Sequence, residues 1–286
     1  MKYEVISWLY STHLPDGVQI FDRILEKAIC SALNYDTYEA EQYVEKNKKA
    51  YWNDFVKLIN QDIKNNIYPL AKIIDHNSRR FESFSSWLLK KSNKKYYRLS
   101  ERLRLRPYVY KQIESMNDRE FEAVCCLACK ANGAIHTQIT PRKGEGGIDF
   151  YALIDIPRGY MRCTGMNSMR IIGQAKKHKN PVPVNLIHQF NDSLGDVRRR
   201  SESIKDQIPD WFFQKFTPIV GWIFGHNGFQ SGSNSQARMK GIMLYDSQTL
   251  TEMIVLSPNV CPGDEGTLFA KKIKTRCHDI LRESKN

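Results

Sequence analysis

Residues 144–156 read GEGGIDFYALIDI, and residues 169–181, beyond a polar gap, read MRIIGQAKKHKNP. The first stretch is a glycine-rich turn running into an apolar strand with one acid, Asp149, at its head. The second is another apolar strand whose end carries Gln174 and Lys176, two residues apart. Side chains two apart on a strand share a face, so Gln174 and Lys176 point one way and Ala175 the other. If the two strands pair, Asp149 meets them across the sheet. Polar groups on core strands are costly unless something uses them. An acid, an amide oxygen, the Ala175 carbonyl and a lysine at one spot suit a hard divalent cation, because Mg²⁺ takes oxygen ligands, keeps several waters and is shared with phosphates. Such an ion polarises a phosphate and activates water, while a lysine such as Lys176 orients that water or offsets developing charge. Two bland alternatives stand beside this reading. Asp149 would serve as a turn cap after Gly147, and Lys176 as a sheet-edge lysine that discourages aggregation.

Around these strands the pattern alternates between helix and strand. Residues 117–134, NDREFEAVCCLACKANGA, begin a helix with Asn117 as N-cap and Glu120 three residues on, a capping box. Phe121, Val124, Cys125 and Ala128 form its buried stripe. AIHTQIT at 134–140 alternates as a strand. VNLIHQFNDSLGDVRRR at 184–200 places Ile187, Phe190, Leu194 and Val197 at helical spacing. PIVGWIFG reads as a strand, SNSQARMKG as a short helix, IMLYD as a strand and SQTLTEMIVL as a helix. The mixture argues for an α/β domain over 111–286. Before it, residues 18–33 and the segment YWNDFVKLINQDI give helical stripes with little strand-like alternation, so 1–110 reads as a mainly helical region.

The chain of 286 residues carries a formal charge of +12, from 43 Lys+Arg against 31 Asp+Glu, which makes a polyanion the natural partner. No apolar run reaches spanning length, and the opening MKYEVISWLYSTHLPDG lacks a charged-then-apolar leader, so a cytoplasmic location without membrane attachment is expected. Seven scattered cysteines read as reduced thiols. Cys126 and Cys129 form a CxxC with no second pair at finger spacing, which favours small buried hydrophobes over zinc ligands. Within the basic run of 78–107, Lys90, Lys91, Lys94 and Lys95 are interleaved with Trp87, Tyr96 and Tyr97, a mixture that suits phosphate contact plus stacking and equally a solvated helix face.

In the order FE at 121–122, GGIDF at 146–150, QAK at 174–176, VPVNLIHQF, GWIFGHNGF, QARMKG and IMLYD, the chain from about 117 to 256 resembles the Mrr-like branch of the PD-(D/E)xK restriction-endonuclease superfamily. The resemblance implies a restriction-endonuclease-like core, a mixed central sheet flanked by helices. It implies that Asp149 is the metal-binding acid, that Gln174 stands where Glu or Asp is usual, that Lys176 is the catalytic lysine and that Glu122 is the helix-borne acid. The implied cofactor is Mg²⁺, with Mn²⁺ able to substitute, held by Asp149, Gln174, Glu122 and the Ala175 carbonyl. Two departures stand out. Glu145 occupies the position where GDGGID has an aspartate, and the insertion from 155 to 169 lengthens the link between the catalytic strands. Gln174 also offers a neutral oxygen, which leaves the site one negative charge short and gives Glu122 a purpose as second carboxylate. Glu120 is explained by capping alone.

The expected activity is metal-dependent hydrolysis of phosphodiester bonds in double-stranded DNA, in restriction or anti-phage defence, with modified DNA among the candidate targets. Lys177, Lys179, Arg198, Arg199 and Arg200 are expected to flank the site and meet phosphates. The competing readings are a non-catalytic nucleic-acid-binding protein on the same fold, which the intact Asp149, Gln174 and Lys176 disfavour, and a nuclease subunit gated by a protein partner. A cut through two strands needs two active sites, so a homodimer or larger assembly is the default expectation.

Overall fold

The computed structural model describes residues 2–12, 14–33, 35–64, 67, 69–84, 94–141, 147–156, 168–213, 217–257 and 265–284. The chain divides into two compact units, Met1–Lys111 with Cys261–Phe269, and Gln112–Val260 with Ala270–Asn286.

The first unit contains α1 (Lys2–Thr12), β1 (Gly17–Ile20), α2 (Phe21–Leu33), α3 (Thr37–Lys64), β2 (Ala71–Asp75), β3 (Arg80–Ser83) and α4 (Lys94–Leu103), and α5 (Arg106–Ser115) begins in it. Its helices follow from stripes such as Ala40, Val44, Tyr51, Phe55 and Leu58 along α3, all buried. Rings of Phe21, Trp52, Phe55 and Phe81 meet at centroid separations of 4.9–5.8 Å and form the centre of this core. The sequence pattern does not anticipate the small antiparallel sheet β1-β3-β2. Residues 18–20 are strand rather than the first turn of a helix, and Val18 and Ile20 are exposed, so the helical apolar stripe begins only at Phe21. Pairing of Gly17 with Ser83 holds the segment, a non-local partner that no local periodicity reveals.

Two arginines of the basic run are also committed inside this unit. Arg79 makes two hydrogen bonds to the Asp22 carboxylate, at 2.7 and 2.6 Å. Arg106 and Asp62 are fully buried and 2.5 Å apart, with the Tyr10 hydroxyl donating to the same carboxylate at 2.8 Å. A buried arginine is tolerated only with such a partner. Lys90 and Lys91 lie outside the described residues, as do the side chains of Lys94 and Lys95.

The second unit is built on a five-stranded sheet in the order β4-β5-β6-β7-β8, formed by β4 (Ala134–Ile139), β5 (Phe150–Asp155), β6 (Ser168–Lys176), β7 (Ile219–Gly225) and β8 (Ile242–Asp246). The first three strands form an antiparallel meander, and β6, β7 and β8 run parallel. Parallel strands need crossovers, supplied by α7 (Val184–Arg199) and α8 (Ser233–Met239). Two short 3-10 helices, Glu202–Gln207 and Asp210–Phe213, follow α7. Helix α6 (Asp118–Ala131) packs against β4, β5 and β6, and α9 (Ser247–Val255) and α10 (Gly266–Glu283) complete the described elements.

The two faces of the sheet are covered differently. Ile187, Phe190, Leu194 and Val197 of α7 join Tyr151, Ile172 and Ile223 in one cluster. Strand alternation puts Phe150, Gly173 and Phe224 on the opposite face. There a side chain at Gly173 would meet the Phe150 ring at 1.9 Å, so the ring occupies the space that the glycine leaves. This close fit anchors β5 to β6 directly beside Asp149. Among the described residues no helix is long and apolar enough to cross a membrane.

Candidate active site

Asp149 sits just before β5, where the chain is tied on both sides. Its backbone N–H donates to the Gly173 carbonyl at 2.8 Å, and its carbonyl accepts from the Thr140 N–H at 3.0 Å. The Thr140 hydroxyl adds a 2.6 Å bond to the Ile148 carbonyl. The approach to Asp149 requires a left-handed residue, and Gly147 supplies it with φ of +64°. The Asp149 carboxylate then accepts from the Ala175 N–H at 2.7 Å and lies 3.7 Å from the Lys176 ammonium.

β5 and β6 last pair at Phe150 with Gly173, so Gln174, Ala175 and Lys176 run on beyond the start of β5. A strand residue turns its N–H and its carbonyl to the same edge. The Ala175 carbonyl therefore points to the edge where its N–H meets Asp149. Gln174 is buried at 5% exposure. Its amide nitrogen donates to the Gly147 carbonyl at 2.5 Å, whereas its amide oxygen is buried with no hydrogen-bond partner. An unsatisfied buried oxygen costs on the order of 1–3 kcal/mol.

The fourth group comes from α6. Asn117 caps this helix by accepting from the Glu120 N–H, and Glu120 reaches back to the Asn117 N–H at 2.9 Å, completing the capping box. With the first turn so fixed, Glu122 lines a cleft of about 410 Å³ together with Asn117, Arg119, Thr140 and Asp149. Arg119 pairs with the Glu122 carboxylate and donates to the Thr140 carbonyl at 2.8 Å. Arg119 carries no motif signal in the sequence beyond its spacing three residues before Glu122.

Electrostatics tie these groups together. Burial, then the neighbouring Asp149 charge, raises the pKa of Glu122, against the lowering influence of Arg119 and Lys176. Burial likewise raises Asp149, opposed by Lys176 and the Ala175 N–H. Two carboxylates in one partly dry cleft disfavour each other's charge, and a cation relieves both. Among the described residues no three His, Cys, Asp or Glu side chains are grouped to hold a metal ion. The oxygen donors of this region are the Glu122 and Asp149 carboxylates, which line the cleft, and the buried Gln174 amide oxygen and the Ala175 carbonyl on the strand beside Asp149. An all-oxygen set of this kind fits a hard cation of the Mg²⁺ or Mn²⁺ type, which completes its shell with water.

The basic residues expected around the site divide. Lys179 is exposed just past β6, and its carbonyl accepts from Asn227 at 3.1 Å. Lys177 does not face solvent phosphates. Its ammonium donates to the carbonyls of Ile113 at 3.2 Å, Glu114 at 2.6 Å and Met116, which closes the end of α5. Burial accordingly lowers its pKa. Lys177→Met is expected to cost on the order of 1–3 kcal/mol by leaving those carbonyls unsatisfied. Denaturant midpoints should show this loss, with duplex-DNA affinity unchanged.

Arg198, Arg199 and Arg200 sit at the opposite end of the sheet. Arg198 donates to the Ile219 carbonyl at 3.0 Å, and Ile219 pairs with Arg170, six residues and about 20 Å of strand from Lys176. Arg199 pairs with Asp196 at 2.7 Å, and Arg200 lies 4.4 Å from the Phe213 ring centroid. They do not flank Asp149, because α7 starts near the Asp149 end of the sheet and carries its C-terminus away from it. His226 bonds Ser247 at 2.8 Å and packs edge-on to Phe121 as a core histidine. Cys125, Cys126 and Cys129 are buried in α6, and burial raises each thiol pKa.

Residues 113–202 match the family model Mrr_cat, a restriction endonuclease. No curated protein matches the chain. Among solved structures, the chain is similar to the MspJI restriction endonuclease in complex with a 27-mer oligonucleotide, at 14% identity and a TM-score of 0.36 over 64% of this chain and 39% of that one. It is similar to the DNA modification-dependent restriction endonuclease AspBHI, at 14% identity and a TM-score of 0.35 over 78% of this chain and 48% of that one. It is also similar to protein VC1899 from Vibrio cholerae, at 10% identity and a TM-score of 0.23 over 96% of this chain and 57% of that one. The chain thus spans less than half the length of the first two proteins. The matched segment runs from the end of α5 through α7 and contains Glu122 and Asp149, which line the cleft, together with Gln174 and Lys176 on β6. Residues 113–202 are thus similar to the restriction endonuclease domain that the Mrr_cat model describes, over about a third of the chain.

Proposed function

We propose that this chain is a divalent-metal-dependent endonuclease that hydrolyses phosphodiester bonds of double-stranded DNA in restriction or anti-phage defence, with modified DNA among its candidate targets. The observation that carries the reading is the unsatisfied amide oxygen of Gln174, buried next to the residue that bonds Asp149. Asp149, Gln174, Glu122 and the Ala175 carbonyl would hold Mg²⁺ or Mn²⁺, which supplies charge withdrawal from the phosphate and acidification of water when bound. Lys176, 3.7 Å from Asp149, is placed to orient the attacking water and to offset negative charge on the phosphorus oxygens. In the reaction the water oxygen bonds to phosphorus, the bond from phosphorus to the leaving sugar oxygen breaks, and that oxygen takes a proton from water. Lys179 is available for backbone contact at the same end of the sheet. A homodimer supplies the second site that a double-strand cut requires, and a protein partner that opens or completes the cleft would gate the activity.

The helix carries two glutamates with different roles. Glu122→Ala should weaken Mn²⁺ binding about tenfold or more while altering stability little. Glu120→Ala should instead cost about 1 kcal/mol through loss of the capping box, with metal affinity unchanged. Metal titration and thermal unfolding of both variants test the assignment, and equal metal affinities would sink it. The pH dependence has a definite sign. Glu120 has its pKa lowered by His278 first and the Asn117 N–H second, so the stability it adds is full above the ordinary carboxylate range and is lost as pH falls through the lowered pKa.

A further inference from the structure

A second cavity, of about 670 Å³, opens beside the catalytic cleft and shares Asn117, Arg119 and Pro141 with it. Its far wall is α10, through His278 and Leu281. This helix buries Ile273, Cys277 and Ile280 and leaves Lys271 and Lys274 exposed. Lys271, Lys274 and His278 are spaced three and four apart, which puts them in one row on the helix surface, about 10 Å long. His278 of this row lines the cavity, and two further observations tie His278 and Lys274 to the Glu120 wall. His278 Nε2 lies 2.9 Å from the Glu120 carboxylate, and the Lys274 charge acts on the same carboxylate. The His278 contact engages the Glu120 carboxylate at that wall. The arginines of α7 are at the other end of the sheet, so α10 supplies the basic row next to this cleft, although it lies outside the segment matched to the family.

We propose that the cavity is the path of the DNA strand as it leaves the catalytic cleft, with Lys274 and Lys271 contacting successive backbone phosphates and His278 the phosphate nearest the scissile bond. This assignment rests on the nuclease reading and gives its substrate a direction, from Asp149 past Arg119 towards α10. Lys271 and Lys274 are positioning residues. They raise the occupancy of the cleft without touching the reacting phosphorus.

The test uses the full chain in two separate arms. In the first, binding of a short duplex oligonucleotide is measured in EDTA with Asp149→Ala as the background, so that no chemistry intervenes. Adding Lys271→Ala and Lys274→Ala together should weaken binding about tenfold and flatten the slope of log affinity against log salt by about two. Substitution of both by arginine should restore affinity, which a merely structural role would not require. Adding His278→Ala should weaken binding further, with His278→Lys recovering it. In the second arm, cleavage by the otherwise wild-type chain should show a raised KM with kcat retained for the double alanine variant. Unchanged affinity and salt slope in the first arm overturn the path while leaving the nuclease reading intact. Failure of the wild type to cut overturns the nuclease reading, whatever the binding arm gives.

Discussion

Asp149→Asn is expected to lower the cleavage rate by about 10²–10³-fold while leaving the fold intact, the loss typical of removing one preorganised charged group from a reaction centre. The substitution keeps an oxygen that accepts from the Ala175 N–H, now 2.7 Å from the carboxylate, so β5 and β6 stay joined. It removes a negative charge that burial disfavours, as the raised pKa of Asp149 records. An acid whose pKa is raised by folding lowers stability as pH climbs past its unfolded value. Thermal unfolding in EDTA at neutral pH should therefore give the Asn variant a midpoint equal to or above that of the wild type. A loss of activity accompanied by a large fall in midpoint would instead point to a structural role for Asp149.

Gly173→Ala should be the most damaging single-methyl substitution in the second unit. The added carbon would lie 1.9 Å from the Phe150 ring, far inside contact distance, and the ring is hemmed in by Phe224 at 6.0 Å between centroids. Overpacking of this kind costs about 1–3 kcal/mol and forces the backbone to shift. Because Phe150 adjoins Asp149, whose N–H bonds the Gly173 carbonyl, the shift carries the acid away from Gln174. Activity should fall together with stability. Trimming the ring with Phe150→Leu in the same chain should recover part of both. If Gly173→Ala unfolds at the wild-type midpoint, the close packing of β5 on β6 is not as described.

The strands that carry Asp149 and Gln174 were legible in the sequence because each carries a local signal. GGIDF is a turn followed by a buried strand, QAK alternates by two, and the capping box at Asn117 and Glu120 announces the start of α6. Their convergence follows from the antiparallel register of β5 and β6, which alternation suggests and pairing fixes. What stayed hidden depends on contacts remote in sequence. The strand at Gly17–Ile20 finds its partner in β3. Lys177 looks like a solvent lysine after a catalytic motif, yet the end of α5 takes its hydrogens. Arg198–Arg200 follow the site in sequence by only some twenty residues, and α7 spends those residues travelling to the other end of the sheet. The 3-10 turns of 202–213 and the basic row of α10 have no motif that would single them out.

An amide rather than a carboxylate at Gln174, on the strand beside Asp149, has a physical consequence for this cleft. Glu122 and Asp149 already raise each other's cost of ionisation, and a third carboxylate would add to it. The amide gives an oxygen without that charge, and its nitrogen ties the strand to Gly147 at 2.5 Å. Arg119 pairs with Glu122 in this cleft and sets a positive charge beside the two carboxylates.

The most direct test of the central claim is plasmid cleavage, with methylated and unmethylated DNA, by the purified wild-type chain and by Asp149→Ala, each with Mg²⁺ and with EDTA. Cutting by the wild type in Mg²⁺ alone, with none by the variant or in EDTA, is the predicted result. Equal cutting by wild type and variant, or cutting in EDTA, would contradict it.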